Sequence, residues 1–199
     1  MDICCILVIT AMTQASEETL NPPSNETFLY FAYGSNLLSK RIHIQNPTAK
    51  RKTIGQLKNY RLDFLRASTN WNGCSATIVE DDGSSVWGAI WEINVSNMKD
   101  LDRQEGVDVN FYKVLMKSIE TPNGEELPCR LYQQVRNPTE SVKFEDIPFD
   151  RQPSKTYLKC ILDGAVESEL PSDYIDSLEK IPNNGRDASP TMLKQLGWE

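Results

Sequence analysis

Apolar positions along this chain change their period several times, and each change marks an element. From Phe28 to Tyr33 they are nearly continuous, the pattern of a strand covered on both faces. Tyr60, Leu62 and Phe64 alternate with charged or longer neighbours, which predicts a half-buried strand. Ala76 to Val79 and Val86 to Ile93 flank Asp81-Asp82-Gly83-Ser84, a hairpin signal, and Trp87, Ala89, Trp91 and Ile93 share one face of the second arm. Phe111 to Ile119 and Glu126 to Val135 flank Pro122-Asn123-Gly124 and predict a second hairpin. Short helices fit between the strands. One runs from Leu37 to Gln45; another runs from a cap at Asn94 or Ser96 to Glu105, with Gly106 as its stop.

The C-terminal part takes a helical period. Tyr157, Leu158, Ile161 and Leu162 have that spacing, with Gly164 as the expected stop. Ser172 caps a helix carrying Ile175 and Leu178, and Ser189-Pro190 opens another with Met192, Leu193 and Leu196 that ends at Gly197. About six strands dominated by hairpins, with helices inserted, make an α+β protein: a mixed, largely antiparallel, barrel-like sheet with peripheral helices. Residues 28–165 read as the main domain and residues 166–199 as a helical extension packed on it.

Composition narrows the function classes. The 199 residues suit one domain with a substantial core. A net charge of −7 and the lack of a basic stripe argue against nucleic acid as a partner. Cys4, Cys5, Cys74, Cys129 and Cys160 form no C-x-x-C unit, and His43 is the sole histidine, so neither a metal nor another cofactor is expected. Residues 1–27 read as a disordered leader or a signal peptide. The apolar run Ile3 to Met12 precedes Thr13-Gln14-Ala15, which resembles a small-residue cleavage site, but Asp2 and the absence of Lys or Arg before the run oppose secretion. The expectation is a cytoplasmic protein; the alternative is a secreted one, with residues 1–15 cleaved. The run is too short to span a bilayer, so the mature form has no membrane partner.

Two local features suggest chemistry. Tyr33-Gly34-Ser35-Asn36 ends the first strand in a turn whose backbone N–H groups could form a nest for a small anionic or zwitterionic ligand, although the same residues also serve simply to reverse a chain. On the helix ending at Glu105, Val95, Met98 and Leu101 share a face, and Glu105 continues that stripe. A carboxyl placed where a core residue belongs, at a helix C-terminus, has its pKa pushed up on both counts. That is the state general acid/base work requires. The competing reading has Glu105 fraying into solvent or pairing with Arg103 or Lys99, and Asp102 is a rival acid.

Taken together, Tyr30-Phe31-Ala32-Tyr33-Gly34-Ser35-Asn36-Leu37 and Leu101-Asp102-Arg103-Gln104-Glu105-Gly106-Val107 resemble the gamma-glutamylcyclotransferase family. Further matches are Arg41-Ile42-His43, Asn46-Pro47, Leu62-Asp63-Phe64, Val86-Trp87-Gly88 and Cys129-Arg130, so the resemblance runs from Phe28 to about Gly164. It implies release of an amino acid or amine from a gamma-glutamyl compound with formation of 5-oxoproline, and a homodimer. It also implies that Tyr30, Phe31, Ala32, Tyr33, Gly34 and Ser35 hold the glutamyl end and that Glu105 is the catalytic acid/base. Tyr112, Tyr132 and Tyr157 would line the pocket, Tyr157 as a hydrogen-bond donor to substrate.

Asn36-Leu37-Leu38 departs from the glutathione-specific branch, which favours gamma-glutamyl amino acids over intact glutathione as substrates, and the branch acting on gamma-glutamyl amines is shorter than this chain and a poorer match. In such a substrate the alpha-amine is itself the nucleophile, so neither Ser nor Cys is required. Two rivals stay open. One is a cysteine amidase using His43 with Cys74, Cys129 or Cys160; the other is a pseudo-enzyme that binds a gamma-glutamyl or peptide ligand without turnover.

Overall fold

The computed structural model describes residues 26–199, so nearly all of the expected leader, with its signal-peptide alternative, lies outside the described residues. Five strands close a barrel: β1 (Thr27–Ala32), β2 (Lys50–Ser68), β3 (Gly73–Asn94), β4 (Tyr112–Glu120) and β5 (Glu126–Gln134). Their order is β1-β3-β2-β4-β5. Every neighbouring pair is antiparallel except β1 and β5, which close the barrel in parallel at Tyr30 and Arg130. Outside the barrel lie α1 (Ser39–Ile42), α2 (Met98–Glu105), α3 (Lys155–Glu167), α4 (Ser172–Leu178) and α5 (Pro190–Leu196). The expected mixed, largely antiparallel α+β barrel is the observed one. Among the described residues no helix is long and apolar enough to cross a membrane.

Four local expectations are corrected. The residues Asp81-Asp82-Gly83-Ser84 do not reverse the chain; β3 runs through them, and the reversal falls earlier, at residues 69–72. Pairing passes from Lys58 opposite Ser85 to Tyr60 opposite Glu80, so the four turn-forming residues bulge out across from Asn59. Gly83 (φ 81°) and Asn59 (φ 61°) both adopt left-handed backbone there, and Asn59 Oδ1 accepts the Gly83 N–H at 3.2 Å. A turn signal is absorbed as a bulge because the long partner strand pairs on either side of it. Two of the expected strands are therefore one.

The expected helix from Leu37 to Gln45 is shorter, a single 3-10 turn (Ser35–Leu37) and α1, separated by the extended backbone of Leu38 (φ −78°, ψ 123°). Gly164 does not end its helix, since α3 continues to Glu167. A Cβ there would lie 2.4 Å from the Leu38 nitrogen and 2.5 Å from the Leu37 carbonyl carbon. Gly164 lets α3 press directly on the turn that follows β1. Ser172 does not cap α4 either: Pro171 stands at the cap position and Ser172 is the first helical residue, with no side-chain hydrogen bond closing that end. The remaining caps are as the sequence indicates. Asn94 accepts the Ser96 N–H at 2.9 Å, Gly106 closes α2 at φ 64°, and Ser189 and Gly197 bracket α5.

One core fills the barrel and extends under the helices. Phe31, Phe64, Ile78, Ile90 and Trp91 are all but inaccessible, and Leu170, Leu178, Ile181, Met192 and Leu196 from the last part of the chain join the same cluster. A buried charge ties the barrel to the segment before α3. Asp63, 2% exposed, accepts from Arg61 (3.4 Å), from Arg151 and from the Phe64 N–H (2.7 Å). Next to it the Cys74 N–H donates to Gln152 O at 3.0 Å, and Ser154 caps α3 by accepting the Tyr157 N–H at 3.1 Å. The orientation of Tyr157 therefore depends on this junction.

Candidate active site

The end of β1, the end of α2, the first turn of α3 and strands β4 and β5 converge on a narrow cavity of about 40 Å³. Tyr30, Tyr33, Gly34, Ser35, Glu105, Tyr112, Tyr132 and Tyr157 line it. Residues far apart in the chain thus meet in one place. Phe31 and Ala32 do not reach this wall; Phe31 is fully buried against Gly88, and Ala32 pairs with Ala89 in the ladder. Asn36 and Ala76 complete the lining, and neither was singled out individually from the sequence. Asn36 had a readable signal, being the last residue of the turn motif; Ala76 had none, because its part is to present backbone.

A wider cleft of about 540 Å³ adjoins the cavity and shares Ser35, Glu105, Tyr112 and Tyr157 with it. Arg41, Trp71 and, from α5, Thr191 and Gln195 line the cleft alone. The C-terminal helix therefore forms part of the wall. Gly34 sits where a Cβ would come within 3.2 Å of the Tyr157 hydroxyl, so the turn and the tyrosine are in close approach.

Glu105 stands at the junction of cavity and cleft. Its Oε1 accepts from Gln104 Nε2 (3.1 Å) and, at longer range, from Asn36 Nδ2 (3.4 Å). Gln104 also donates to Asn36 Oδ1 at 3.2 Å and is itself held by Asn46 at 3.3 Å, so an amide network orients the carboxyl. Burial pushes the Glu105 pKa up to about 7, Asp102 adds to the rise, and Arg41 and the Gln104 hydrogen bond hold it down. Arg103 pairs instead with Asp100 at 3.2 Å, which removes one of the two surface partners considered for Glu105. Val95, the outer member of the sequence stripe, is 37% exposed, whereas Leu101 is fully buried; the apolar stripe begins late but does end at Glu105.

Asp102 is occupied elsewhere. It accepts from Arg130 Nη2 at 2.5 Å and from the Tyr132 hydroxyl at 2.6 Å. A carboxylate held by a guanidinium and a phenol is a poor proton shuttle, which leaves Glu105 as the acid with freedom to act.

The tyrosines differ in where their protons go. Tyr33 donates to the Tyr132 carbonyl, Tyr112 donates to Ala76 O at 2.8 Å, and Tyr132 donates to Asp102. Tyr157 instead accepts the Ala76 N–H at 3.0 Å, and Tyr30 accepts from Asn36 at 3.0 Å, so these two hydroxyls keep a proton to donate. Burial raises the Tyr157 pKa to about 12 and pushes that of Tyr30 well above the usual tyrosine value, so both remain protonated donors at neutral pH.

The cysteine amidase reading finds no activated thiol. Burial pushes Cys74 up to about 11 and Cys129 and Cys160 up to about 12, away from the thiolate a nucleophile needs. His43 Nε2 lies 2.8 Å from Ala49 O, engaged with backbone.

Comparisons with known proteins bear on the family and the fold. The model of the AIG2-like family matches residues 85–178. A Bos taurus protein named gamma-glutamylcyclotransferase is 40% identical over 171 residues, spanning 84% of this chain and 85% of its own length. A Homo sapiens protein of the same name is 38% identical over 177 residues, 87% of this chain and 88% of that one. A solved structure named gamma-glutamyl cyclotransferase superposes with a TM-score of 0.76 at 36% identity, covering 86% of this chain and 99% of its own.

Proposed function

The chain belongs to the gamma-glutamylcyclotransferase family, and on that premise we propose that it converts a gamma-glutamyl amino acid to 5-oxoproline and the free amino acid with Glu105 as the single proton-transfer group. The observation that carries this reading is the carboxyl held near neutrality, at about 7, where the cavity meets the cleft.

The reaction asks little of the protein beyond posture and one proton. The substrate's alpha-amine attacks its own gamma-carbonyl, a new C–N bond closes the five-membered ring, and the C–N bond to the leaving amino acid breaks. Holding amine and carbonyl in a near-attack pose contributes up to ~7–11 kcal/mol, as in oriented intramolecular reactions. In this proposal the turn from Tyr33 to Ser35 fixes the glutamyl end. The Glu105 carboxylate takes the proton from the attacking amine and returns it to the departing nitrogen, a contribution of about 10²–10⁴-fold. No proton is left over. Tyr157 and Tyr30, whose hydroxyl protons are uncommitted, serve as donors to the oxyanion that develops on the gamma-carbonyl. Tyr112, Tyr132 and Tyr33 act as fixed walls. Phe31 and Ala32 support the turn from behind.

Incubating the purified protein with L-gamma-glutamyl-L-alanine and, separately, with glutathione tests the assignment. The dipeptide is expected to yield 5-oxoproline by mass spectrometry and glutathione little or none. Product from glutathione at a comparable rate would overturn the substrate preference, and product from neither would favour a ligand-binding pseudo-enzyme. Removing one donor should be felt in the chemistry. Tyr157→Phe is expected to lower kcat by about 10²-fold with a smaller change in KM; unchanged kcat in steady-state kinetics would remove Tyr157 from this role. As part of the same proposal the enzyme is a cytoplasmic homodimer, for which the family likeness is the support.

A further inference from the structure

Arg41 is a buried cation that forms no ion pair among the described residues. It lies on α1 and is 6% exposed, and its Nε has no hydrogen-bond partner among the described residues. Glu105, the carboxylate whose charge bears most on Arg41, takes its hydrogen bonds from the amides of Gln104 and Asn36 and makes none with the guanidinium. Other cations lining the cleft are settled, Arg66 over the Phe111 ring at 3.5 Å and Arg103 on Asp100. Burying a charge without a partner is strongly unfavourable, so a site that retains one is poised for an anion. The Arg41 guanidinium carbon lies over the Trp71 ring at 5.7 Å from its centroid, within cation–π range.

Position decides which anion. The departing nitrogen must come to Glu105, and whatever that nitrogen carries extends into the cleft, where Arg41 lies. The narrow cavity is lined by hydroxyls, an amide and the turn, with no cation on its wall. We infer that Arg41 is the receptor for the carboxylate of the leaving amino acid, and hence the residue by which the enzyme distinguishes gamma-glutamyl amino acids from gamma-glutamyl amines. This rests on the cyclotransferase reading above. A planar guanidinium takes a carboxylate through two parallel N–H···O bonds, which a lysine cannot reproduce.

The test compares L-gamma-glutamyl-L-alanine with L-gamma-glutamyl-ethylamide, which keeps the glutamyl end and the scissile amide but lacks the second carboxylate. Wild-type protein is expected to favour the dipeptide by about tenfold to a hundredfold in kcat/KM, mostly through KM. In Arg41→Lys and Arg41→Gln this ratio should fall toward one. Loss of the Arg41 charge also alters Glu105, but it does so for both substrates alike, so the ratio is the diagnostic quantity. Equal losses on both substrates, with the ratio preserved, would overturn the inference and place Arg41 on the shared glutamyl end or on Glu105. Absence of 5-oxoproline from either substrate with wild-type protein would overturn the underlying reading, a different result.

A measurement on wild-type protein alone guards against variants that fail to fold. Glutaryl-L-alanine and glutaryl-ethylamide lack the alpha-amine and cannot cyclise. Calorimetry should show the alanine analogue binding about tenfold or more tighter, and equal affinities would overturn the assignment.

Discussion

Glu105→Gln is expected to lower turnover of L-gamma-glutamyl-L-alanine by about 10²–10⁴-fold while the barrel stays folded. Gln keeps the shape and can still accept from Gln104, but it can neither take nor return a proton. The pH profile carries the same information in the wild-type protein. With the Glu105 pKa raised to about 7, kcat/KM should fall tenfold per pH unit below that value, because the carboxylate is the active form. A lower limb centred near the ordinary value of 4.5, or a Gln variant with near-normal kcat, would remove Glu105 from the proposed role.

The same shift carries a stability cost of definite sign. A carboxyl whose pKa rises from 4.5 to about 7 on folding is easier to bury protonated than ionised. Its favourable contribution is fully present below about 4.5 and is lost as pH rises through about 7. At pH 8 the wild-type protein should therefore be destabilised by up to about 3 kcal/mol relative to Glu105→Gln, and the difference should shrink as pH falls from about 7 toward 4.5. Urea midpoints at several pH values measure this directly. An inactive variant that is more stable than its parent at neutral pH, with an advantage that closes only as pH falls toward 4.5, is the combined signature of a carboxyl kept in an unfavourable place for its chemistry.

Asp63→Ala is expected to be the more damaging change to the fold, at about 3–5 kcal/mol. It strips the acceptor from two guanidinium groups, Arg61 and Arg151, and from the Phe64 N–H, all in surroundings where Asp63 is only 2% exposed. Arg61 keeps Pro138 O and Glu140 O, and Arg151 keeps Phe64 O, but neither retains a negative partner. Denaturant unfolding followed by circular dichroism should show the loss. Activity should suffer as well, since Arg151 anchors the segment that leads through Ser154 into α3 and so to Tyr157. A midpoint within error of wild type would mean that the network merely tolerates its burial.

Particular residues show which features a single sequence makes readable. The continuous apolar run before Tyr33 and the turn after it are local patterns, and both lie where they were expected. So does Glu105, because helix periodicity and the Gly106 stop together determine its face. Gly83 misled for an equally local reason. A left-handed glycine beside aspartates suits a hairpin turn and a bulge equally well, and only the pairing of β2 along both halves of β3 selects the bulge. Gly164 misled in the same way. A helix stop and a close approach both call for a residue without a Cβ, and the approaching Leu37-Leu38 backbone comes from far away in the chain.

Other parts of the site had no sequence signal. The five tyrosines of the cavity look alike in a chain, and it is their partners, Ala76 for Tyr157 and Asp102 for Tyr132, that divide donors with a free proton from walls. Arg41 belongs to a stretch that resembles a family motif, and nothing in its neighbours along the chain shows that it is buried without an ion-pair partner. Likewise the reach of α5 into the cleft depends on a docked C-terminal segment.

Strand and helix periods, capping residues and the two motifs depend on neighbours within a turn or two, so the sequence by itself determined the α+β class, the turn at the end of β1 and the position of the acid. Closure of the barrel through the parallel contact of β1 with β5, the neutral-range carboxyl and the unpaired guanidinium depend on which distant surfaces exclude water from the same few cubic ångströms. Desolvation is a property of the assembled core, and only the tertiary structure decides it.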